Sequence, residues 1–233
     1  MKIRAYLSGE IYAYSVKIII ASMPDSRRCS LPRDSLQIST EDASLIVRAA
    51  SGDLAAFNAL VETHQDCVYG LCLRMLASRQ AAEDVTQDVF LAAYRHIGSY
   101  RGGLFRAWLL RIAANACTDE LRRRQRRPQT SLDLIAEGGS PIDPPDTSES
   151  PEETVLRGEL DRHIQAGLMA LPLDQRAVIV LCDVQGLTYE EVAEAVNASL
   201  GTVKSRLSRG RTRLREILLR QRELLPHSYR HTD

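Results

Sequence analysis

Residues 129 to 154, "QTSLDLIAEGGSPIDPPDTSESPEET", constrain the chain more than any other stretch. They are rich in Pro, Gly, Ser and acid and have no helical or strand period, so they cannot bury an apolar face. The apolar, periodic sequence on either side is therefore read as two domains joined by a linker. Aromatics are few (5%), alternating β-branched runs are scarce, and Ala, Leu, Arg and Glu abound, which favours helices. The expectation is an all-α protein of two helical domains joined by a flexible acidic linker. Its boundaries are read as a disordered or over-extended lead at 1–41, a first domain at 42–127, the linker at 128–155, a second domain at 156–225 and a tail at 226–233.

The apolar stretch "IYAYSVKIII" near the start is interrupted by Lys17, is far too short to span a bilayer and has no AxA-type cleavage signature. A start at Met23 would make residues 1–22 an over-extended reading frame, a reading that a native peptide containing Ile18 to Ile20 would exclude. The five cysteines, Cys29, Cys67, Cys72, Cys117 and Cys182, are odd in number, scattered, and mostly embedded in helical patterns, which suits a reducing cytoplasm. His64, Cys67 and Cys72 lack a CxxC pair or a second histidine at ligand spacing, so buried thiols are the expectation and no metal or other cofactor is called for.

The formal net charge of +0 is a cancellation. Residues 101–127 carry about +6, residues 128–161 about −8 and residues 201–225 about +6. Two basic clusters bracketing an acidic tether suit two surfaces that meet nucleic acid, because phosphate neutralisation depends on local charge.

In the second domain, "LDQRAVIVLCDV" reads as a helix ended by Gly186. Thr188 and Glu191 in "TYEEVAEAV" have capping-box spacing and open a short second helix whose buried stripe is Val192, Ala193 and Val196. Asn197 stands where the chain must turn, since Asn tolerates left-handed backbone angles, and Ser199 is placed to cap the next helix. This is a helix-turn-helix pattern. In "GTVKSRLSRGRTRLREIL", a period of 3.6 puts Val203, Leu207, Gly210, Leu214 and Leu218 inward. Thr202, Ser205, Ser208, Arg209 and Thr212 then face outward, flanked by Lys204 and Arg206. Short hydroxyls and forked guanidiniums suit base edges, and the flanking charges suit phosphates.

In the first domain, "AEDVTQDVFLAAYRHI" buries Val85, Val89, Phe90, Ala93 and Ile97. Asp84, Gln87, Asp88, Leu91 and Arg95 form an outer stripe whose acid repels DNA and fits a protein partner. After the turn "GSYRGG", the segment "LFRAWLLRIAANACTDELRRRQRR" buries Phe105, Trp108, Leu109, Ile112, Ala116 and Leu121. Arg111, Asn115, Thr118 and Arg122 share a polar face that continues into Arg123 and the arginine run, a surface able to hold the edges of extruded bases.

The segments "AEDVTQDVFLAAYRHI", "YRGG" and "FRAWLLRIAANACTDELRR", followed by "LPLDQRAVIVLCDVQGLTYEEVAEAVNASLGTVKSRLSRGRTRLREIL", resemble regions 2 and 4 of the extracytoplasmic-function (ECF) bacterial sigma factors, a subfamily of the sigma-70 family. The resemblance covers about residues 42–127 and 156–220. It implies a monomeric, cytoplasmic, stress-response transcription factor that joins core RNA polymerase through Asp84, Gln87, Asp88, Leu91 and Arg95. It further implies that Arg111, Asn115, Thr118, Arg122 and Arg123 hold the melted minus-ten element, while Thr202, Lys204, Ser205, Arg206, Ser208 and Arg209 read the minus-thirty-five element. An anti-sigma factor, which can hold such a protein at the membrane, is the further partner implied. Asn197 replaces the family's usual turn glycine, Ser208 is smaller than the usual side chain there, and "YRGGLF" stands where many relatives have an "FRGD"-like loop.

No Ser/His/Asp order, phosphate-cradling glycine loop or paired-carboxylate site appears, so neither an enzyme nor a small-molecule substrate is expected. The rival reading is an operator-binding regulator whose first domain senses or dimerises, against which stand the paired "AEDVTQDVF" and "FRAWLLRIAAN" segments.

Overall fold

The structure is a computed structural model that describes residues 40–126 and 151–220; within these, every regular element is helical. The expectations for the N-terminal lead, for most of the linker and for the C-terminal tail fall outside the described residues. Helix α1 spans Thr40–Ala50, α2 Leu54–Leu76, α3 Arg79–His96 and α4 Phe105–Arg126. Helix α5 spans Pro151–Met169, α6 Leu173–Ile179, α7 Tyr189–Ala195 and α8 Leu200–Leu219. Helices α1 to α4 make the N-terminal module, in which α2, α3 and α4 pack on one another and α1 lies against α2. Helices α5 to α8 make the C-terminal module.

The breaks are chemically explicit. Gly52 takes a positive φ of 97° after α1. Asp53 then caps α2 by accepting from the Ala55 and Ala56 amides at 2.9 and 3.1 Å. Ser78 caps α3 by accepting from the Ala81 amide. A 3₁₀ turn, Ile97–Ser99, and the paired Gly102 and Gly103, both at φ 94°, reverse the chain into α4.

Val85, Val89 and Ala93 of α3 and Ile97 just after it are buried, as their period requires, whereas Phe90 is only half-buried because it lines an open groove. On α4 the burial differs from the simple stripe. Phe105 and Leu109 are buried with Leu110, Ala113, Ala114 and Cys117, while Trp108, Ile112, Ala116 and Leu121 are half-buried. Helix α4 is covered by α2 and α3 and also by α7 of the other module, so its buried arc widens toward Leu110 and Ala114. His64, Cys67 and Cys72 are core residues of α2 rather than a ligand set: His64 Nε2 lies 3.3 Å from Asp42, and both thiols are buried. Among the described residues no group of three or more potential ligands assembles.

The C-terminal module begins earlier than the sequence period indicates, since α5 starts at Pro151, where Pro and the acids after it suit a first helical turn. The expected helix 173–184 is α-helical only to Ile179; Val180–Val184 forms a π-turn closed by the Gln185 amide on the Val180 carbonyl at 2.9 Å. Gly186 ends it at φ 70°. On α7, Val192 and Ala195 are buried while Ala193, and Val196 at the helix end, are half-buried.

Val203, Leu207, Gly210, Leu214 and Leu218 of α8 are all buried, and α6 packs closely on α8 at Gly210. A Cβ there would stand 2.8 Å from Ile179 Cδ1 and 3.3 Å from Gln175 Cβ. Gly210→Ala should therefore cost about 1–3 kcal/mol by overpacking, read as a lower melting temperature. Gly201→Ala, whose Cβ would meet only Ser199 Oγ at 3.9 Å, is the control expected to hold or raise it.

Candidate nucleic-acid interface

The outward face of α8 is positioned by two capped helix starts and one turn. The Thr188 hydroxyl accepts from the Glu191 amide at 3.2 Å and Glu191 Oε2 accepts from the Thr188 amide at 2.8 Å, closing the capping box of α7. Asn197 adopts φ 48°, and Ser199 Oγ accepts from the Thr202 amide at 3.2 Å to start α8. The helix-turn-helix geometry is thus built where its sequence signals lie.

Lys204, Ser205, Ser208, Arg209 and Thr212 are exposed on α8, and Thr202 and Arg206 are half-buried. Several are tied locally. The Thr202 hydroxyl lies 2.9 Å from Ser199 Oγ, and Arg209 Nε donates to the Ser205 carbonyl at 3.2 Å. Arg206 Nε meets Asp174 Oδ2 at 3.0 Å on the surface. These contacts hold the guanidiniums near the face with weak, water-exposed bonds that a DNA phosphate or base could replace.

A third arginine of α8 is held far more firmly. Arg211 donates bidentately to the buried carboxylate of Asp183, from Nε at 3.0 Å and Nη2 at 2.5 Å. Burial works against the Arg211 charge, but the hydrogen-bonded Asp183 outweighs it and pushes the guanidinium pKa up. The π-turn carries this anchor. Sequence reasoning passed over it, although an Asp inside the apolar run "AVIVLCDV" was a signal that a buried partner was needed.

On α4, Arg111, Asn115, Arg122 and Arg123 are exposed along one side. Thr118 shares the side but is half-buried, its hydroxyl donating to the Ala114 carbonyl at 2.8 Å. Arg122 lies 3.6 Å from Asp119, while Glu120 takes Arg123 at 2.5 Å and Arg124 at 2.8 Å. Burial pushes the Glu120 carboxyl up, yet these two guanidiniums more than offset it and hold its pKa low. At the start of this helix Phe105 and Trp108 stack with centroids 5.4 Å apart, and the Tyr100 ring meets both edge-on.

Asp84, Gln87, Asp88, Leu91 and Arg95 are all exposed on α3. Beside them, between α2 and α3, runs a groove of about 630 Å³ lined by Leu54, Phe57, Val61, Tyr69, Phe90, Leu91 and Tyr94, with Asp66 and Glu83 among its polar residues. Burial pushes the Asp66 carboxyl up, and its Oδ1 is buried without a hydrogen-bond partner. An acidic ridge beside an apolar groove suits a protein helix with basic flanks. The ridge was legible as a stripe; the groove was not, because Phe90 and Tyr69 fit a buried helical period equally well.

Comparison with known proteins agrees with this division. Residues 60–127 match the family described as Sigma-70 region 2, and residues 162–214 match Sigma-70, region 4. The chain is 38% identical over 188 residues to the ECF RNA polymerase sigma factor SigE of Mycolicibacterium smegmatis, covering 79% of this chain and 71% of that one. It is 36% identical over 182 residues to the RNA polymerase sigma-H factor of Pseudomonas aeruginosa, covering 76% and 94%. Among solved structures, CnrH in complex with the cytosolic domain of CnrY superposes with a TM-score of 0.58 at 27% identity, over 78% of this chain and 99% of that one. The sigma factor RpoE of Bartonella quintana, in complex with the anti-sigma factor NepR, gives 0.56 at 28% identity, over 71% and 98%. With two helical modules in the order of regions 2 and 4, and relatives that share both, the chain belongs to the ECF family of RNA polymerase sigma factors.

Proposed function

We propose that this sigma factor joins core RNA polymerase, brings it to a promoter and opens the duplex there, with no catalytic step of its own. The observation that carries this reading is the separation of two exposed surfaces on the N-terminal module. The acidic ridge on α3, beside its apolar groove, suits polymerase; the amide-and-arginine face on α4 suits separated strands. The exposed face of α8 supplies the third contact, to duplex DNA in the major groove.

In this scheme Asp84, Gln87, Asp88, Leu91 and Arg95 dock on polymerase. Arg111, Asn115, Arg122 and Arg123 hold the minus-ten element, with Thr118 beside them. Thr202, Lys204, Ser205, Arg206, Ser208 and Arg209 take the minus-thirty-five element. Such work is cytoplasmic, and no described helix is long and apolar enough to cross a membrane. An anti-sigma factor fits as a regulatory partner, supported by the two solved relatives bound to CnrY and NepR.

Mixing the chain with bacterial core polymerase should give co-migration on size exclusion and new transcript starts on genomic DNA. A folded chain that stays apart from polymerase while binding duplex DNA would favour an operator-binding regulator. Arg209→Ala should weaken promoter binding by about 1–3 kcal/mol while changing binding to unrelated DNA much less, as for a bidentate base contact. Equal loss on both, in a titration at fixed salt, would make Arg209 a phosphate contact.

A further inference from the structure

Four cysteines among the described residues are free and buried, and two of them face each other. Cys72 lies on α2 and Cys117 on α4, two helices that pack on one another, and each is 0% exposed. The thiols share a hydrogen bond, which holds Cys72 below the usual thiol range against its burial and pushes Cys117 above it. Cys67 is different: its S–H donates to the His64 carbonyl of its own helix at 3.1 Å, and burial pushes its pKa up. In a polarised pair, one sulfur is suited to attack an oxidant and the other to resolve the product.

Burial alone would make such thiols inert, but Cys72 stands one side chain away from the open groove between α2 and α3. Thr86, half-buried on α3, is hydrogen-bonded to Cys72 and lines that groove. Tyr69, three residues before Cys72 on α2, lines it as well, and its phenol, pushed up chiefly by burial, also feels the Cys72 charge. The groove holds about 630 Å³, many times the ~30 Å³ share of one water molecule, so an oxidant the size of two waters reaches Thr86 with the module folded. A local movement of Thr86 completes the path to Cys72.

The far end of the pair lies under the polar side of α4. Cys117 is buried immediately before Thr118 and two residues after Asn115. A disulfide holds its two Cβ atoms at a fixed spacing, and the core around these sulfurs is closed, so bonding them resets how α4 sits on α2.

We propose that Cys72 and Cys117 are a peroxide-reactive pair, which hydrogen peroxide converts to a disulfide that ties α2 to α4 and displaces the face carrying Asn115. The effect on DNA rests on the sigma-factor reading above; the bond itself does not. The Cys72 thiolate attacks one peroxide oxygen, the O–O bond breaks, and hydroxide leaves as water with the proton that the thiol gave up. The Cys117 sulfur then attacks the sulfenic Cys72 sulfur, the S–O bond breaks, and the second hydroxide leaves as water with the Cys117 proton. The two sulfurs lose two electrons and one peroxide gains them. A dithiol reductant returns both thiols, and a transient, reversible bridge of this kind suits a reducing compartment.

The test exposes the reduced chain to a small excess of hydrogen peroxide, removes the peroxide, alkylates the remaining thiols in denaturant and maps the peptides by mass spectrometry. The expected product is a bridge between residues 72 and 117 that dithiothreitol removes, with fragmentation placing it on Cys72 and not on Cys67. Mixed with core polymerase, the oxidised chain should start at least about tenfold fewer transcripts on genomic DNA than the reduced chain, as for a displaced binding face, and dithiothreitol should restore them. Cys72→Ala and Cys117→Ala, each checked by its melting curve, should make transcription insensitive to the treatment. Should either variant fail to fold, the map of the unaltered chain still decides.

Oxidation that leaves residues 72 and 117 unbridged would overturn the proposal, as would a bridge from Cys67. So would a bridge between 72 and 117 that leaves transcription unchanged. A bridge formed in a chain that, when reduced, neither binds polymerase nor starts transcripts would support the thiol pair and remove the sigma-factor reading.

Discussion

A chain carrying Asp84→Lys and Asp88→Lys is expected to lose at least about a hundredfold in affinity for core RNA polymerase, or ~3 kcal/mol, while its melting temperature and duplex DNA binding stay near the parent's. Both carboxylates are exposed on α3, so neither supports the core and reversal should not unfold the module. The reversal acts twice, removing attraction and setting like charge against a basic partner. It should therefore slow association as well as speed dissociation, and added salt should narrow the gap with the parent. Leu91, 53% exposed at the lip of the groove, gives an independent check, since Leu91→Ala removes apolar contact without altering charge. It should weaken binding with little change in salt dependence. Unchanged association in the double reversal, measured by size exclusion or by competition with a second sigma factor, would move the docking surface off α3.

The parts of the fold that depend on local rules were legible in the sequence. The capping box of Thr188 and Glu191, the left-handed Asn197, the stop at Gly186 and the five inward residues of α8 each follow from neighbours a few positions away. The parts that depend on the other module were not. Trp108 and Ile112 have a good helical period, yet α4 is covered from two sides and its buried arc turns away from them. Gln185 and Gln165 look like ordinary surface amides until helix ends from the other module come within reach. The exposed ridge on α3 and the polar side of α4 were visible as stripes, because their spacing alone decides which residues share a face. Which of those faces remains open is a matter of packing between modules, and period alone does not contain it.

Arg211→Ala should cost about 3–5 kcal/mol, because it takes the forked guanidinium from a carboxylate that is 4% exposed. At roughly 4–8 °C per kcal/mol for a domain of 60–100 residues, the C-terminal module should melt at least about 12 °C lower. Arg206 sits on the same helix and also pairs with an acid, Asp174, but there both partners meet water. Arg206→Ala should change stability by less than about 1 kcal/mol and act mainly on DNA binding. The contrast separates two arginines that sequence alone presents as one basic cluster: one stands at the surface, the other fastens α8 to the π-turn that carries Asp183. Replacing both partners by apolar groups, Asp183→Leu with Arg211→Met, should recover most of the lost stability, since no charge is left buried. If the double replacement melts as low as Arg211→Ala, the loss comes from packing around Arg211, and the ion pair is not what fastens α8.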